Sequence, residues 1–321
     1  METFFETAFP KVNFFYPRTR ALIVITALLL ISGILPSFLV HAICVFLIVT
    51  IGLMHGATDH ILYTTSSESG FKTKIPKEFF IKYISILLVM GLVWLFLPKI
   101  ALLSFLIVSG YHFGQTQLQY LEISEKSILK KVLYTIWGLL VLSFIILFNY
   151  EESQKLILSA VPSLHLAINE QTIYLSLLGI SIALFLSALS IRKILSIKII
   201  TFEVIELLII AIVSHQANLL ISFGVFFSLW HSLRASQIQL DKISTQIPFS
   251  VKTFIKEGLP FTIISILGIT FMALLAFYFQ SSIKVEMLFL VAISMLTLPH
   301  IVIYEQFYNF FDRKKASSIS A

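Results

Sequence analysis

Four histidines of the chain lie in long apolar stretches, each beside glycine, proline or an aromatic residue. They are His55, His112, His231 and His300. An ionisable side chain in an apolar membrane interior is costly and marks a functional site, although a single histidine there is also a common hydrogen-bonding contact between helices. Because imidazole nitrogen binds zinc, copper, iron and nickel, the four histidines predict one metal centre if the fold brings them together.

Two carboxylates in apolar surroundings accompany these histidines. Asp59 follows His55 by one helical turn, so the two side chains would share a face of one helix. Asp59 is predicted either to bind the metal or to orient a ligand imidazole, and the structural alternative is a residue at a helix end. Glu203, with Glu206 beside it, is predicted to support the metal ligands, or else to lie near the cytoplasmic end of its helix.

The composition indicates that lipid surrounds most of the chain. Of the 321 residues, 58% are hydrophobic and 12% are charged, whereas soluble domains are about 45–50% apolar and about 25% charged. The net charge of +6 does not indicate a nucleic-acid partner, because the basic residues form short clusters between apolar stretches. Cys44 is the single cysteine, which excludes an intrachain disulfide and a cysteine-based metal site.

Ten stretches are candidates for a transmembrane helix, which needs roughly 20 mainly apolar residues. They lie near 21–35, 37–63, 79–97, 100–121, 129–149, 171–191, 197–213, 216–240, 258–279 and 285–311. The amphipathic stretch around 153–168 is interrupted by Pro162 and is interpreted as interfacial. The sequence therefore predicts an all-α, polytopic membrane protein with about ten transmembrane helices, in a single domain over residues 1–321.

The basic residues predict the orientation of these helices. If the N-terminus is cytoplasmic, all of the 23 basic residues except Lys99, Lys155 and Lys284 fall in cytoplasmic segments, as the positive-inside rule requires. Both termini are then cytoplasmic, with residues 1–20 as the N-terminal segment and 312–321 as the tail. The expected location is the cell (inner) membrane.

The predicted orientation places the four histidines at similar depth. They lie on four helices that all run from outside to inside, about 11 to 18 residues or roughly 17–27 Å from the outer boundary. The apolar core is about 30 Å thick, so the four share a slab between its middle and its cytoplasmic side. His60 is expected to point about 140° away from His55 on a continuous helix, and His215 is expected in an outer turn.

The motifs around the histidines appear in chain order as Gly52-x-x-His-Gly-Ala-x-Asp59, His112-Phe-Gly114, His231-Ser-x-Arg234 and Pro299-His300. Together they resemble the Brp/Blh family of bacterial and archaeal β-carotene cleavage enzymes, related to the bacterio-opsin-linked protein. The resemblance implies cleavage of β-carotene at its central 15,15′ double bond with non-haem iron(II) (Fe2+) and O2. The two retinals formed would then serve a rhodopsin as its chromophore.

The resemblance also implies three iron ligands. They are His55, His112 and His231. Members of the family usually carry a second histidine one turn after the first in the third motif, where this chain has Ala235, and a proline before the first histidine, where it has Met54. His300 is the predicted fourth ligand, with Asp59 or a water molecule as the alternatives.

Three aromatic residues adjoin these histidines and are predicted to contact the substrate, with packing as the alternative. They are Tyr111, Phe113 and Trp230. Because β-carotene resides in the lipid bilayer, it is expected to enter laterally, between helices.

Two functions of other kinds remain open. One is a metal transporter that uses the histidines in transit, although transporters favour inverted repeats and broken helices and the sequence shows no clear repeat. The other is a catalytically inactive homologue that binds a carotenoid or retinal, which Ala235 makes relevant. Other iron-dependent lipid oxygenases usually carry clustered His-x-x-x-His motifs, and the sequence has none.

Overall fold

The computed structural model describes residues 17–66, 75–121, 127–161, 197–278 and 285–319, together with residue 123 and scattered helical positions between 172 and 187. Within these residues all regular secondary structure is helical. The N-terminal residues 1–16 and most of the predicted 171–191 helix lie outside the described residues. The last helix continues through the predicted tail as far as Ile319.

The helices are numbered here in chain order. They are α1 (Pro17–Ile31), α2 (Ser37–Leu47), π1 (Ile48–Gly52), α3 (Leu53–Gly56), α4 (Asp59–Thr65), α5 (Lys77–Phe96), α6 (Pro98–Leu118), α7 (Ile128–Phe148), α8 (Tyr150–Ala160), α9 (Ile197–Gln216), α10 (Leu219–Val225), π2 (Phe226–Ser232), α11 (Leu233–Ser244), α12 (Val251–Tyr278) and α13 (Val285–Ile319). The segments α2 to α4 follow one another as one interrupted rod, and so do α10 to α11.

Seven helical rods in the described residues are long and apolar enough to span a membrane. They are Ser37–Thr65, Lys77–Phe96, Ile128–Phe148, Ile199–Gln216, Leu219–Ser244, Val251–Tyr278 and Met287–Lys314. The all-helical membrane class is thus supported, whereas the described residues do not confirm the predicted count of ten. Helix α1 has only 15 residues, and α6 has 21 residues but carries histidine and three glutamine or threonine side chains in its last turns, which lower its mean hydropathy.

Glycines set the distance between α6 and α7. A Cβ atom added to Gly114 would lie 1.8 Å from the carbonyl oxygen of Tyr134, and one added to Gly138 would lie 1.8 Å from the carbonyl oxygen of Gly110. Only glycine at these positions lets the two backbones touch, as small residues do where membrane helices approach closely. This contact holds α6, which carries His112, against its neighbour.

Two π-helical segments interrupt the rods next to the functional motifs. The segment π1 ends three residues before His55, and π2 contains His231. A π-turn adds a residue to a helical turn and changes which side chains face inward, and such turns are frequent at functional sites. The first rod breaks again between Gly56 and Asp59, whereas α13 remains helical through Pro299.

The two ends of the bundle are distinguished here by their residues. The α8 end carries α8, the start of α6 and the end of α7. The basic end carries the starts of α5, α7 and α12, where Lys77, Lys130 and Lys252 lie. The Leu219–Ser244 rod lies in the middle of the bundle, with 67% of its apolar window buried, whereas only 6% of the α12 window is buried.

Candidate metal centre

Four imidazole rings from four separate rods converge in the interior. His55, His112 and His231 each present a ring nitrogen within 4.8 Å of the others. The Nε2 atom of His300 lies 3.1 Å from Nε2 of His112, and its ring centroid is 4.9 Å from that of His55. All four residues are at most 5% exposed. The fold therefore brings together the four histidines that the sequence singles out.

Hydrogen bonds determine which nitrogen two of these rings present to the centre. Nδ1 of His55 lies 2.5 Å from the carbonyl oxygen of Gly52, and Nδ1 of His300 lies 2.6 Å from Oδ1 of Asp59. In a neutral ring the Nδ1–H group donates each of these bonds, which leaves Nε2 with its lone pair for another partner. A histidine that binds a metal is held in this way by a carboxylate or a backbone carbonyl.

The unpaired ring nitrogens of the histidines, and the spacing of two of them, fit a bound metal ion. Neither ring nitrogen of His231 has a hydrogen-bond partner among the described residues, and an unpaired buried polar atom costs about 1–3 kcal/mol. Two nitrogens on one metal, each at about 2.0–2.1 Å, are roughly 3.0–3.4 Å apart, which matches the 3.1 Å between His112 and His300. A metal ion would therefore satisfy atoms that the protein alone leaves unpaired.

A cavity of about 740 Å3 has the four histidines in its wall, and its other wall residues lie in two directions from them. One part, the α8 arm, runs from the α8 end down to the histidines along three helices. Its wall residues recur every three or four positions, so they form stripes on the inner faces of the helices. The stripes are Leu102, Phe105, Ser109 and His112; Leu220, Phe223, Phe227 and His231; and Phe289, Ile293, Thr297 and His300.

The other part of the cavity, the lateral arm, lies between α5 and α12. Its wall is formed mainly by aromatic and aliphatic side chains, which are Phe79, Phe80, Tyr83, Ile84, Leu87, Phe261 and Ile264. Ile84 is 51% exposed and Ile264 is 62% exposed. Since both residues also face the cavity, the lateral arm reaches the apolar outer surface of the bundle.

Comparison with known proteins assigns the family. The family model of beta-carotene 15,15'-dioxygenase matches residues 46–308, a segment that contains all four histidines and both arms of the cavity. The chain belongs to the beta-carotene 15,15'-dioxygenase family. The resemblance seen in the motifs is thereby confirmed. Searches of curated proteins and of solved structures gave no match.

In this member of the dioxygenase family, the position of the usual second histidine of the third motif is packed with apolar groups. Ala235 is fully buried in a cluster that includes Ile303, Tyr304 and Phe307. The ring of Tyr304 lies 4.8 Å from the ring of His112 and 5.2 Å from that of His300. Aromatic side chains thus fill the space next to the histidines on the Ala235 side.

Asp59 joins the metal centre to the lateral arm. Its Oδ1 atom accepts a hydrogen bond from Nδ1 of His300, and Tyr83 lies near the same carboxylate, whose Oδ2 atom has no hydrogen-bond partner among the described residues. Tyr83 lines the cavity and was missed in the sequence analysis, because a tyrosine near the start of an apolar helix resembles an ordinary interfacial residue.

The break after His55 is held by a side chain from another rod. Nε2 of Gln239 donates to the carbonyl oxygen of His55 at 3.1 Å, and the Thr58 hydroxyl lies 3.1 Å from Oε1 of Gln239. The break also brings His60 onto the cavity wall, against Phe261 at 4.6 Å between ring centroids. His60 is therefore not one of the four converging imidazoles, although it lines the same cavity.

Glu203 lies in a polar network at the basic end and not beside the imidazoles. Nε2 of Gln117 donates to Oε2 of Glu203 at 2.9 Å, and the Tyr120 hydroxyl donates to Oε1 at 2.8 Å. Arg234 donates to Oε1 and to the backbone oxygen of Gln117, at 2.8 and 2.7 Å. This Gln117 network ties the end of α6, five residues after His112, to α9 and α11.

The three aromatic residues predicted to contact substrate separate into two groups. Phe113 lines the cavity, with its ring 4.7 Å from that of His231. Tyr111 instead donates to Oε2 of Glu305 at 2.7 Å, and Trp230 donates from Nε1 to Oε2 of Glu206 at 2.7 Å. Neither Tyr111 nor Trp230 is among the described residues that form the cavity wall.

Proposed function

We propose that this protein cleaves β-carotene at its central 15,15′ double bond with O2 and iron(II). The double bond breaks, and each of its two carbons receives one oxygen atom, which yields two retinals. The observation that carries the proposal is the apolar cavity whose wall stripes end at four converging histidines. Family membership independently supports the same chemistry.

The proposed iron ligands are the four histidines of the centre. They are His55, His112, His231 and His300. Iron(II) held there would supply the activation of O2, which the side chains themselves cannot provide. Asp59 would orient His300 through the 2.6 Å bond to Nδ1. His300 is proposed in place of the histidine that Ala235 replaces, because it presents Nε2 next to His112.

The cavity dimensions support a carotenoid with its central bond at the histidines. The polyene of half a carotene is about nine bonds long and, at about 1.2 Å per bond in an extended chain, reaches roughly 11 Å before its ring. The α8 arm follows α13 from Phe289 to His300, which are eleven residues or about 16 Å apart. One half therefore fits the α8 arm with its ring, and the other half would occupy the lateral arm.

An oblique path accounts for the depth of the histidines. A carotene parallel to the bilayer normal would have its central bond at the midplane, whereas the four histidines are predicted nearer the cytoplasmic side. Because a conjugated polyene is stiff, the substrate would lie tilted as a whole, from the α8 end to the opening between α5 and α12, with its central bond at the histidines. The exposed wall residues Ile84 and Ile264 support lateral entry from lipid at this point.

The remaining parts of the proposal concern the whole chain. We propose a single helical domain in the inner membrane, with both termini in the cytoplasm and the basic end on the cytoplasmic side. The retinal formed would pass to a retinal-binding rhodopsin. Orientation would be measured by labelling single cysteines placed in the loops of a Cys44→Ala background.

The test is retinal formation in a β-carotene-producing bacterial host. The unchanged protein is expected to give retinal, His112→Ala to give none, and His215→Ala to act as the matched control, because His215 lies at the α8 end against Phe148. The membrane content of each protein and the iron bound after purification are measured in parallel.

Absence of retinal from the unchanged protein, with iron bound, would overturn the proposal for this substrate. Carotenoid bound to the purified protein without cleavage would then favour the inactive homologue. Metal flux into proteoliposomes would favour the transporter.

A further inference from the structure

The two arms of the cavity end in different chemistry. The α8 arm ends at Glu152, Ser153 and Lys155, which are polar residues in the first turns of α8. The lateral arm ends among Phe80 and Ile264 and reaches the apolar surface. A symmetric hydrocarbon would gain no affinity from two arms of different polarity, since both of its rings are equally apolar.

Ser153 distinguishes this end from an ordinary interfacial rim. Its side chain is only 4% exposed and forms part of the cavity wall, and its hydroxyl has no hydrogen-bond partner among the described residues. Ser159, on the same helix, instead donates its hydroxyl to the carbonyl oxygen of Leu156 at 2.7 Å. A buried hydroxyl without a partner is unfavourable by about 1–3 kcal/mol. The Ser153 oxygen lies just beneath the wall surface, so a rotation about its Cα–Cβ bond would turn it towards a ligand oxygen and offset that cost.

The carboxylate of Glu152 is fixed at the same end. Its Oε2 atom accepts a hydrogen bond from the backbone N–H of Leu219 at 2.9 Å, which joins α8 to the first residue of α10. Ser153 follows directly in the chain and is held by this connection. A serine hydroxyl both donates and accepts, so it suits an alcohol or a carbonyl oxygen equally.

The length of the arm brings the far edge of a ring to this position. A ring adds roughly 3 Å to a polyene half of about 11 Å, and the sum is close to the 16 Å or so between the levels of Phe289 and His300. With the central bond next to the histidines, the ring carbons farthest from the polyene would lie at the level of Ser153. Those carbons are the ones that carry oxygen in hydroxylated and keto carotenoids.

We propose that the α8 arm binds an oxygenated ring, so that the preferred substrate class is a carotenoid with a hydroxyl or keto oxygen on one ring and a hydrocarbon ring on the other. The oxygenated ring lies against Ser153, and the hydrocarbon ring lies in the lateral arm. This inference rests on the proposed function for the position of the central bond, and it adds the end-group chemistry that the family name does not specify.

The experiment measures binding separately from cleavage. The full-length, iron-loaded protein is titrated in detergent without O2 with β-carotene and with its 3-monohydroxy derivative, and binding is followed by the polyene absorbance. The hydroxylated carotenoid is expected to bind about three- to tenfold more tightly, the range of one net hydrogen bond. Ser153→Ala is expected to bring this ratio close to one, while Ser159→Ala keeps it.

Each result separates the two proposals. Equal affinities in the unchanged protein, or a preference that survives Ser153→Ala, would overturn the inference about the oxygenated ring. Admission of O2 to the same samples then tests the proposed function alone. Cleavage of both carotenoids, bound with equal affinity, would support the dioxygenase activity and contradict the end-group preference. Tighter binding of the hydroxylated carotenoid without cleavage would support the end-group preference and contradict the dioxygenase activity.

Discussion

The bundle differs on the two sides of its histidines. Towards the α8 end the interior is hollow, and mainly leucine, isoleucine and phenylalanine side chains line the α8 arm. Towards the basic end, on the side of α6, α9 and α11, the interior is filled with hydrogen-bonded polar groups, of which Gln117 and Arg234 are central. The hollow side can receive a long apolar ligand, and the filled side can hold imidazoles at fixed distances. Reaction chemistry at their boundary needs both properties.

Close helix packing is the main reason that the filled side is rigid. Gly114→Ala would force a Cβ atom to within 1.8 Å of the Tyr134 carbonyl oxygen, so α6 and α7 must separate. We expect most of this variant to be lost as aggregate in size-exclusion chromatography. Gly268→Ala on α12 is the control, because no described heavy atom lies within 4 Å of its new Cβ. Equal yields of the two variants would contradict the packing argument.

The carboxylate at the boundary is expected to affect the metal more than the fold. Asp59→Asn removes the negative charge that holds Nδ1–H of His300, and loss of such a partner weakens metal binding by about 10- to 100-fold. Competition with a chelator measures the affinity. Asp241→Asn, at an exposed position of α11, should leave it unchanged. An unaltered affinity in Asp59→Asn would mean that His300 is not a ligand.

Filling the hollow side should impair substrate binding without loss of metal. Leu106→Trp places a larger ring in the α8 arm, whereas Leu103→Trp on the same helix faces outward, with Leu103 59% exposed. Overpacking by such a ring costs about 1–3 kcal/mol, so kcat/KM for β-carotene should fall by about tenfold or more only in Leu106→Trp. Equal kcat/KM in both variants would show that the α8 arm does not hold substrate.

Loss of a single hydrogen bond on the filled side should have the smallest effect on the stability of the protein. Tyr120→Phe removes one of the hydrogen bonds to Glu203, and we expect the free energy of unfolding to fall by about 1 kcal/mol. Thermal unfolding in detergent gives the comparison, with Tyr278→Phe as the control at a position that is 77% exposed. A greater loss of folded protein in Tyr120→Phe than in Gly114→Ala would contradict the assignment of rigidity to close helix packing.

Local sequence was sufficient for the class of the protein and for its candidate ligands. The apolar stretches predict most of the described helices, since helix length and hydropathy are local properties. The four histidines followed from the cost of an ionisable group in such stretches. Helix α6 shows the limit of this reasoning, because the polar side chains that serve the site also lower the mean hydropathy of its rod.

The arrangement around the ligands was decided by tertiary structure. A uniform period of 3.6 residues does not hold along the rods, because the π-helical segments and the break after Gly56 shift it. Asp59 contacts His300, a residue 241 positions away in the chain, and His60 lines the same cavity. Sequence alone determined which side chains are costly to bury. Only the packed rods determined which of them meet, because direction and distance depend on backbone irregularities and on contacts between remote segments.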